Sequence, residues 1–492
     1  MTSPEKERML KPIIEELGDA GHTRAALPMR WALASLSLSM LMPSLDTSIA
    51  NVGLPTLAQA FGASFQQVQW IVLAYLLAIT TLIVSVGRLG DIFGRRRLLL
   101  TGISLFTLAS LFCGIAPTLP ALLAARALQG LGAAMMMALT VAMVGETVPK
   151  ERTGGAMGLL GTMSAIGTTL GPSLGGILIA GFGWETIFLV NVPLGIANFL
   201  LAARFLPADR RERKSAQARP DAIGTLLLAL ALAAYALAMT MGHGRFGALN
   251  LGLLLTAALG IALFVFAETK VKSPLLRPSM FRDSSLSAGL AMSTLVSTVI
   301  MATLVVGPFY LSHALGFDAA HVGAIMSAGP LVSALTGVPA GRIADRFGAR
   351  RMSVTGLAGM IFGLFLIAAL QGRFAAAGYI GPLVIVTASY ATFQAANNTT
   401  IMSDVMPEQR GVISGMLSLS RNLGLITGAS VMGAVFTLAS GTTDIAAAAP
   451  EAVARGMQIT FATAALLIAG ALAMALAGFA RAKRTFSSKE AP

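Results

Sequence analysis

A chain of 492 residues would ordinarily divide into about three soluble domains, but this one is 55% hydrophobic and only 12% charged, with a mean hydropathy of +0.76. Soluble domains carry about 25% charged residues, so a water-soluble enzyme is excluded, as are disordered and collagen-like chains. The formal charge of +13 leaves two readings, nucleic-acid binding or basic loops on one side of a membrane, and its distribution along the chain decides between them.

Residues 1–28 carry both acidic and basic side chains and read as a cytoplasmic tail. The apolar run that begins near Leu27 closes without a small-residue cleavage site, so it reads as a first span, not a removable leader. A crossing helix needs about 20 residues. Uncharged runs predict helices near 29–54, 66–87, 97–116, 119–146, 153–179 and 185–205, then two near 222–241 and 247–267. Six more follow near 285–312, 320–341, 352–371, 376–403, 411–438 and 456–480. Thr153 to Trp184, Ser284 to Ser312 and Gly456 to Ala480 contain no Asp, Glu, Lys or Arg. Long apolar runs separated by Gly, Pro and short polar turns fit helices and not barrel strands. The predicted fold is therefore an all-α polytopic membrane protein of fourteen spans.

Scoring alternate loops gives the orientation. One set, comprising the two tails with Arg30 at the start of the first span and the loops at 88–97, 149–152, 204–219, 268–283, 342–351 and 404–410, holds 30 Lys and Arg. The opposite set holds Arg245, Arg373 and Arg455, and Arg126 and Arg421 complete the 35. Thirty against three puts both termini in the cytoplasm. No loop gathers a basic domain of useful size, which removes the nucleic-acid reading. The lone Cys113 lies in an apolar span and reads as small buried filler. The four histidines have no metal-ligand spacing, and no GxxxxGK[ST] loop is present. Neither a cofactor nor ATP-driven pumping is expected.

Two loops repeat. Gly87-Arg88-Leu89-Gly90-Asp91-Ile92-Phe93-Gly94-Arg95-Arg96-Arg97 follows the second span, and Gly341-Arg342-Ile343-Ala344-Asp345-Arg346-Phe347-Gly348-Ala349-Arg350-Arg351 follows the tenth. Both fall on the same side of the membrane, so the halves repeat in parallel orientation. The expected domains are a six-helix bundle at 29–205, basic linkers with two inserted helices at 206–283, a second six-helix bundle at 284–480 and a cytoplasmic tail at 481–492.

With these loops in place the sequence resembles the major facilitator superfamily, and within it the drug:proton antiporter branch of fourteen spans. Gly87 to Arg97 matches the superfamily's loop signature, and the second copy is its degenerate echo. Leu45-Asp46-Thr47-Ser48-Ile49-Ala50-Asn51-Val52-Gly53-Leu54-Pro55 resembles the branch's first-helix motif, and Arg126-Ala127-Leu128-Gln129-Gly130-Leu131-Gly132 its fourth-helix motif. Gly167-Thr168-Thr169-Leu170-Gly171-Pro172-Ser173-Leu174-Gly175-Gly176 resembles the antiporter motif of the fifth helix. Arg421-Asn422-Leu423-Gly424 stands where the branch often has Arg-Gln-Leu-Gly. The resemblance implies a major facilitator fold, alternating access between two bundles, and expulsion of small molecules against proton entry.

Ionisable groups inside a membrane are costly and mark function by default. Asp46 lies about 24 Å into span one and Arg126 about 10 Å into span four from the opposite end, so the two share a similar depth. Asp46 is the candidate proton carrier: hydrocarbon disfavours a carboxylate and a nearby guanidinium favours it, so changing their separation would load or release a proton. A fixed pair that merely locks two helices is the alternative. Arg421, about 16 Å into span thirteen, either binds an anionic substrate group or pairs with a carboxylate across the cavity. Gln394, Asn397 and Asn398 either line the cavity or bond neighbouring helices. Tyr75 either faces the cavity or anchors span two. Glu146 and Asp404 stand at cytoplasmic helix ends.

Gly167, Gly171 and Gly175 share one helix face and permit close approach, with Pro172 and Gly176 beside them; the antiporter resemblance implies closure of this face against the other bundle. Asp91, within the loop of Gly87, Gly94 and Arg95, would dock on a helix N-terminus of the other half, and Asp345 repeats it in the second copy. The function expected is proton-coupled export of hydrophobic or cationic drugs by a monomer in the cell inner membrane, with small-molecule substrate, protons and the lipid bilayer as its partners. The alternatives are an exporter of one endogenous metabolite, peptide or siderophore, and a non-transporting sensor or channel.

Overall fold

The computed structural model describes residues 3–149, 153–209, 222–240, 247–270, 283–370, 374–402, 410–442, 445 and 448–487. Every element among them is helical. The first set comprises α1 (Ser3–Phe61), α2 (Phe65–Phe93), α3 (Arg95–Gly114), α4 (Leu119–Thr147), α5 (Thr153–Phe182), α6 (Thr186–Leu189) and α7 (Asn191–Phe205). A pair follows, α8 (Ala222–Thr240) and α9 (Ala248–Lys270). The last set comprises α10 (Ser284–Phe309), α11 (Ala319–Phe347), α12 (Ala349–Ala369), α13 (Ala377–Met402), α14 (Arg410–Thr427), α15 (Gly433–Ser440) and α16 (Pro450–Ser487). One π-helical turn extends α10 over Tyr310–Ala314, and another, Gly428–Met432, joins α14 to α15.

Most predicted spans coincide with a helix, and the differences have local causes. The segments expected as tails are helical from Ser3 and up to Ser487, since their Glu, Lys, Arg and Leu are strong helix formers. The sixth span divides into α6 and α7 because Pro193, in the first turn of α7, offers no amide to the carbonyl four residues back. Eleven of the described helical segments are long and apolar enough to cross a membrane. The described apolar stretch of α8, Ile223–Ala238, is shorter. The remaining two, α1 and α13, are more polar, with Asp46 and Asn51 on one and Gln394, Asn397 and Asn398 on the other.

The repeat seen in two loops extends to the packing. Within the first set α1 packs on α5 and α7, α4 on α2 and α3, and α3 on α7. Within the last set α10 packs on α14 and α16, α13 on α11 and α12, and α12 on α16. Both α2 and α11 run 29 residues, end on a phenylalanine, and hand over to the next helix through a glycine of positive φ, Gly94 at 96° and Gly348 at 91°. Both also start on a side-chain cap: Ser64 accepts from the Gln67 amide, and Asp318 accepts from that of His321. The His321 amide and ring hold the exposed Asp318 carboxyl below its usual range.

The two sets press together at the end remote from Arg95. There α5 meets α11 backbone to backbone, and Phe65 of α2 packs between Phe309 of α10 and Phe436 of α15, at 4.7 and 5.1 Å between ring centres. The α8–α9 pair lies against the seam between α2 and α14: Leu228 and Leu232 of α8 and Phe264 of α9 form a cluster with Leu77 of α2 and Leu423 of α14. The Tyr235 hydroxyl donates to Thr427 Oγ1 at 3.2 Å. The outer face of α9 carries Leu251, Leu255, Leu259 and Phe266, all more than half exposed, as a lipid-facing helix requires.

Candidate functional site

The apolar first set encloses one charged cluster. Asp46 on α1 and Arg126 on α4 have side-chain exposures of 0%, and Arg126 Nη1 meets Asp46 Oδ2 at 2.5 Å. A buried ion pair is costly unless its remaining atoms are satisfied; here most of them draw on the rest of the set, while Arg126 Nη2 finds no hydrogen-bond partner among the described residues. Gln129 Nε2 and Asn191 Nδ2 donate to Asp46 Oδ1 at 2.8 and 2.9 Å. Arg126 Nε donates to the Ile71 carbonyl at 3.0 Å and Nη1 to Gln129 Oε1 at 2.6 Å. Gln129 also reaches Ser110 Oγ at 2.7 Å, and the Cys113 thiol lies 3.7 Å from its oxygen. The guanidinium sits over the Tyr75 ring at 4.3 Å and near that of Phe188 at 5.6 Å. Side chains or backbone from α1, α2, α3, α4, α6 and α7 thus converge on one buried cluster around the Asp46–Arg126 pair.

Asp46 and Arg126, matched in depth by the sequence, are in direct contact. Gln129 and Asn191 were not anticipated. Gln129 had a signal, standing three residues after Arg126 on the same helix face; Asn191 had none beyond being polar in an uncharged run. Tyr75, expected at the substrate cavity, is instead fully buried, with its hydroxyl donating to the Pro43 carbonyl at 3.2 Å and its ring beneath Arg126. Its aromatic face is the surface a desolvated guanidinium needs.

A second polar site lies in the last set. Ser293 of α10, Gln394, Asn398 and Met402 of α13, and Leu417, Ser418 and Arg421 of α14 line a cavity of about 190 Å³. Gln394, Asn398 and Arg421 are therefore brought together in one cavity. Asn397 is not part of that lining: it is 3% exposed and donates to the Gly289 carbonyl at 3.1 Å, tying α13 to α10.

The glycine face of α5 divides its work. A Cβ at Gly167 would meet the Leu41 carbonyl oxygen at 2.6 Å, at Gly171 the Ser48 Cβ at 2.5 Å, and at Gly175 the Ile49 side chain at 3.3 Å. All three contacts are with α1, and Ser44 and Ser48 add hydrogen bonds to Ser164 and to the Thr168 carbonyl at 2.7 and 2.8 Å. The expected closure of this face on the opposite bundle is thus corrected, because its period of four aims it at the neighbouring helix of its own set. The cross-set contact falls one residue further round. A Cβ at Gly176 would strike the Ala319 carbonyl, and one at Gly323 the Pro172 carbonyl.

The Gly94 turn is held by a residue that sequence reading passed over. Asp209, beyond α7, accepts from the Arg96 amide at 2.8 Å and the Arg97 amide at 3.2 Å, capping α3 where the helix dipole favours a carboxylate. Its carboxylate leaves no room for a side chain at Gly94. Arg95 pairs with Glu146 of α4 at 2.8 Å. The side chains of Asp91 and Asp345 lie outside what is described, as does Asp404 altogether, while Gly87 lies within α2.

Residues 36–429 match the family model described as Major Facilitator Superfamily. The chain belongs to that superfamily. Among curated relatives, the "Multidrug resistance protein Stp" of Mycobacterium tuberculosis (strain CDC 1551 / Oshkosh) is 32% identical over 406 residues, which cover 82% of this chain and 75% of the relative. The "Riboflavin transporter RibZ" of Clostridioides difficile (strain 630) is 30% identical over 412 residues, covering 83% and 89%. Among solved structures, a bacterial homologue of the human lysosomal transporter Spinster superposes with a TM-score of 0.66 at 15% identity, covering 91% of this chain and 96% of that one. This major facilitator protein is accordingly a multi-pass membrane transporter of small molecules and not an enzyme.

Proposed function

We propose that the chain is a proton-coupled exporter of organic compounds, working by alternating access across the cell inner membrane as a monomer. In this reading fourteen helices span the bilayer, both termini are cytoplasmic, and two six-helix bundles at 29–205 and 284–480 flank an inserted pair within 206–283. The observation that carries the reading is the enclosed Asp46–Arg126 pair at 2.5 Å, since a membrane core retains a carboxylate at high cost. Protonating Asp46 neutralises the carboxylate and leaves the Arg126 charge uncompensated among neutral neighbours, so proton occupancy and the packing of α1 on α4 change together. Each proton entering down the membrane potential supplies about 2.3 kcal/mol per 100 mV, enough to drive cargo uphill.

The names of relatives, a multidrug resistance protein and a riboflavin transporter, support an organic cargo, either a range of toxic compounds or one metabolite. Asp46→Asn is expected to abolish dye accumulation in inverted vesicles that an uncoupler also abolishes. Removing one partner of a buried pair costs about 3–5 kcal/mol, so the Asp46→Asn/Arg126→Gln double variant checks that loss of transport is not loss of folding. Proton-driven transport by a folded variant lacking this carboxylate removes Asp46 from the mechanism.

A further inference from the structure

The two membrane arginines differ in what surrounds them. Arg126 is enclosed with Asp46. Arg421 is half-buried on α14, and among the described residues it forms no ion pair. Glu146 is taken by Arg95, and Asp46 has no exposed atom to offer a ligand. The free charge of the α10–α13–α14 cavity is therefore positive. Its other polar lining, Ser293, Gln394, Asn398 and Ser418, adds amide and hydroxyl donors to the same cavity. A cavity of about 190 Å³ is smaller than the roughly 300–1,000 Å³ of drug-sized sites, so it receives a polar head and leaves the body of the molecule outside it.

We propose that this cavity is a subsite for the anionic head, a carboxylate or an equivalent oxyanion, of an otherwise apolar substrate. Arg421 donates to both oxygens as a fork, Gln394 and Asn398 supply the flanking donors, and an organic cation is disfavoured because it meets a like charge and, among the described lining residues, no acid. This narrows the organic cargo of the reading above, on which it rests, to amphipathic anions, in place of the hydrophobic or cationic drugs expected from the sequence.

The test measures binding apart from transport. Purified full-length protein is equilibrated at pH 7.5 with 1-naphthaleneacetate, 1-naphthaleneacetamide and 1-naphthylmethylammonium, which share a ring and differ in charge, and binding is read by equilibrium dialysis. The anion is expected to bind at least about tenfold more tightly than the cation. Arg421→Gln should bring anion and amide to within about twofold, while Arg421→Lys should retain part of the difference. Failure of the anion to outbind the cation, whether both bind or neither does, overturns the proposal, as does an anion preference that survives in a folded Arg421→Gln protein. Vesicles without uncoupler-sensitive transport, from protein that still prefers the anion, would instead remove the proton-coupled reading and leave this one standing.

Discussion

Gln129 has no charge, yet it is the residue on which the buried cluster turns: its amide nitrogen serves Asp46 and Ser110 while its oxygen accepts from Arg126. Gln129→Leu keeps the volume and removes all three contacts. Hydrogen bonds to charged groups contribute about 1.5–3 kcal/mol each, so this variant should lose at least about 2 kcal/mol in an SDS unfolding titration, and an unchanged midpoint would mean that Gln129 is a spectator. What could be read from sequence at this scale follows from cost. Asp46 and Arg126 announce themselves because charge inside hydrocarbon is rare. Gln129 and Asn191 do not, because neutral polar residues recur in many spans, Asn51 and Asn198 among them. Tyr75 was misassigned for a related reason: a phenol suits a wet cavity and a buried guanidinium equally well.

At the scale of helices, the contact of α5 with α11 is made by backbone alone at Pro172, Gly176, Ala319 and Gly323. Any side chain there must separate the two helices. With spin labels at Phe182 and Gly316, both exposed and close to this contact in sequence, Gly323→Leu should lengthen the interlabel distance by several ångströms in pulsed electron resonance. A distribution identical to that of the parent would show that the contact does not hold this end shut. Glycine spacing told which residues share a face but not which helix that face meets, since small residues allow approach from any side. The Gly94 turn was legible as a tight loop, whereas its clamp was not: Asp209 lies more than 110 residues along the chain from the amides it caps.

For the whole molecule, the all-helical fold, the order of its helices and the repeat between the two sets were present in the uncharged runs and the two Gly-Arg loops, whereas the count was not reproduced: eleven of the described helical segments are long and apolar enough to cross a membrane against the fourteen expected. The same pairings recur in both sets, α1 with α5 as α10 with α14, and α3 with α4 as α12 with α13. The site of the inserted pair was not legible, because α8 meets the seam through leucines that resemble those α9 turns to lipid. The asymmetry of thirty basic residues against three predicts that green fluorescent protein fused at the C-terminus fluoresces while alkaline phosphatase at the same point is inactive; the reverse would invert the orientation. One property of the ion pair reaches furthest. Asp46 has no surface in contact with either aqueous phase, and its hydrogen-bond partners stand on helices that also carry the packing of the set. If the chain is proton-coupled as proposed above, a carboxylate sealed in this way exchanges hydrogen ions only in step with a rearrangement of its helices, and an idle molecule would not drain the gradient that drives it.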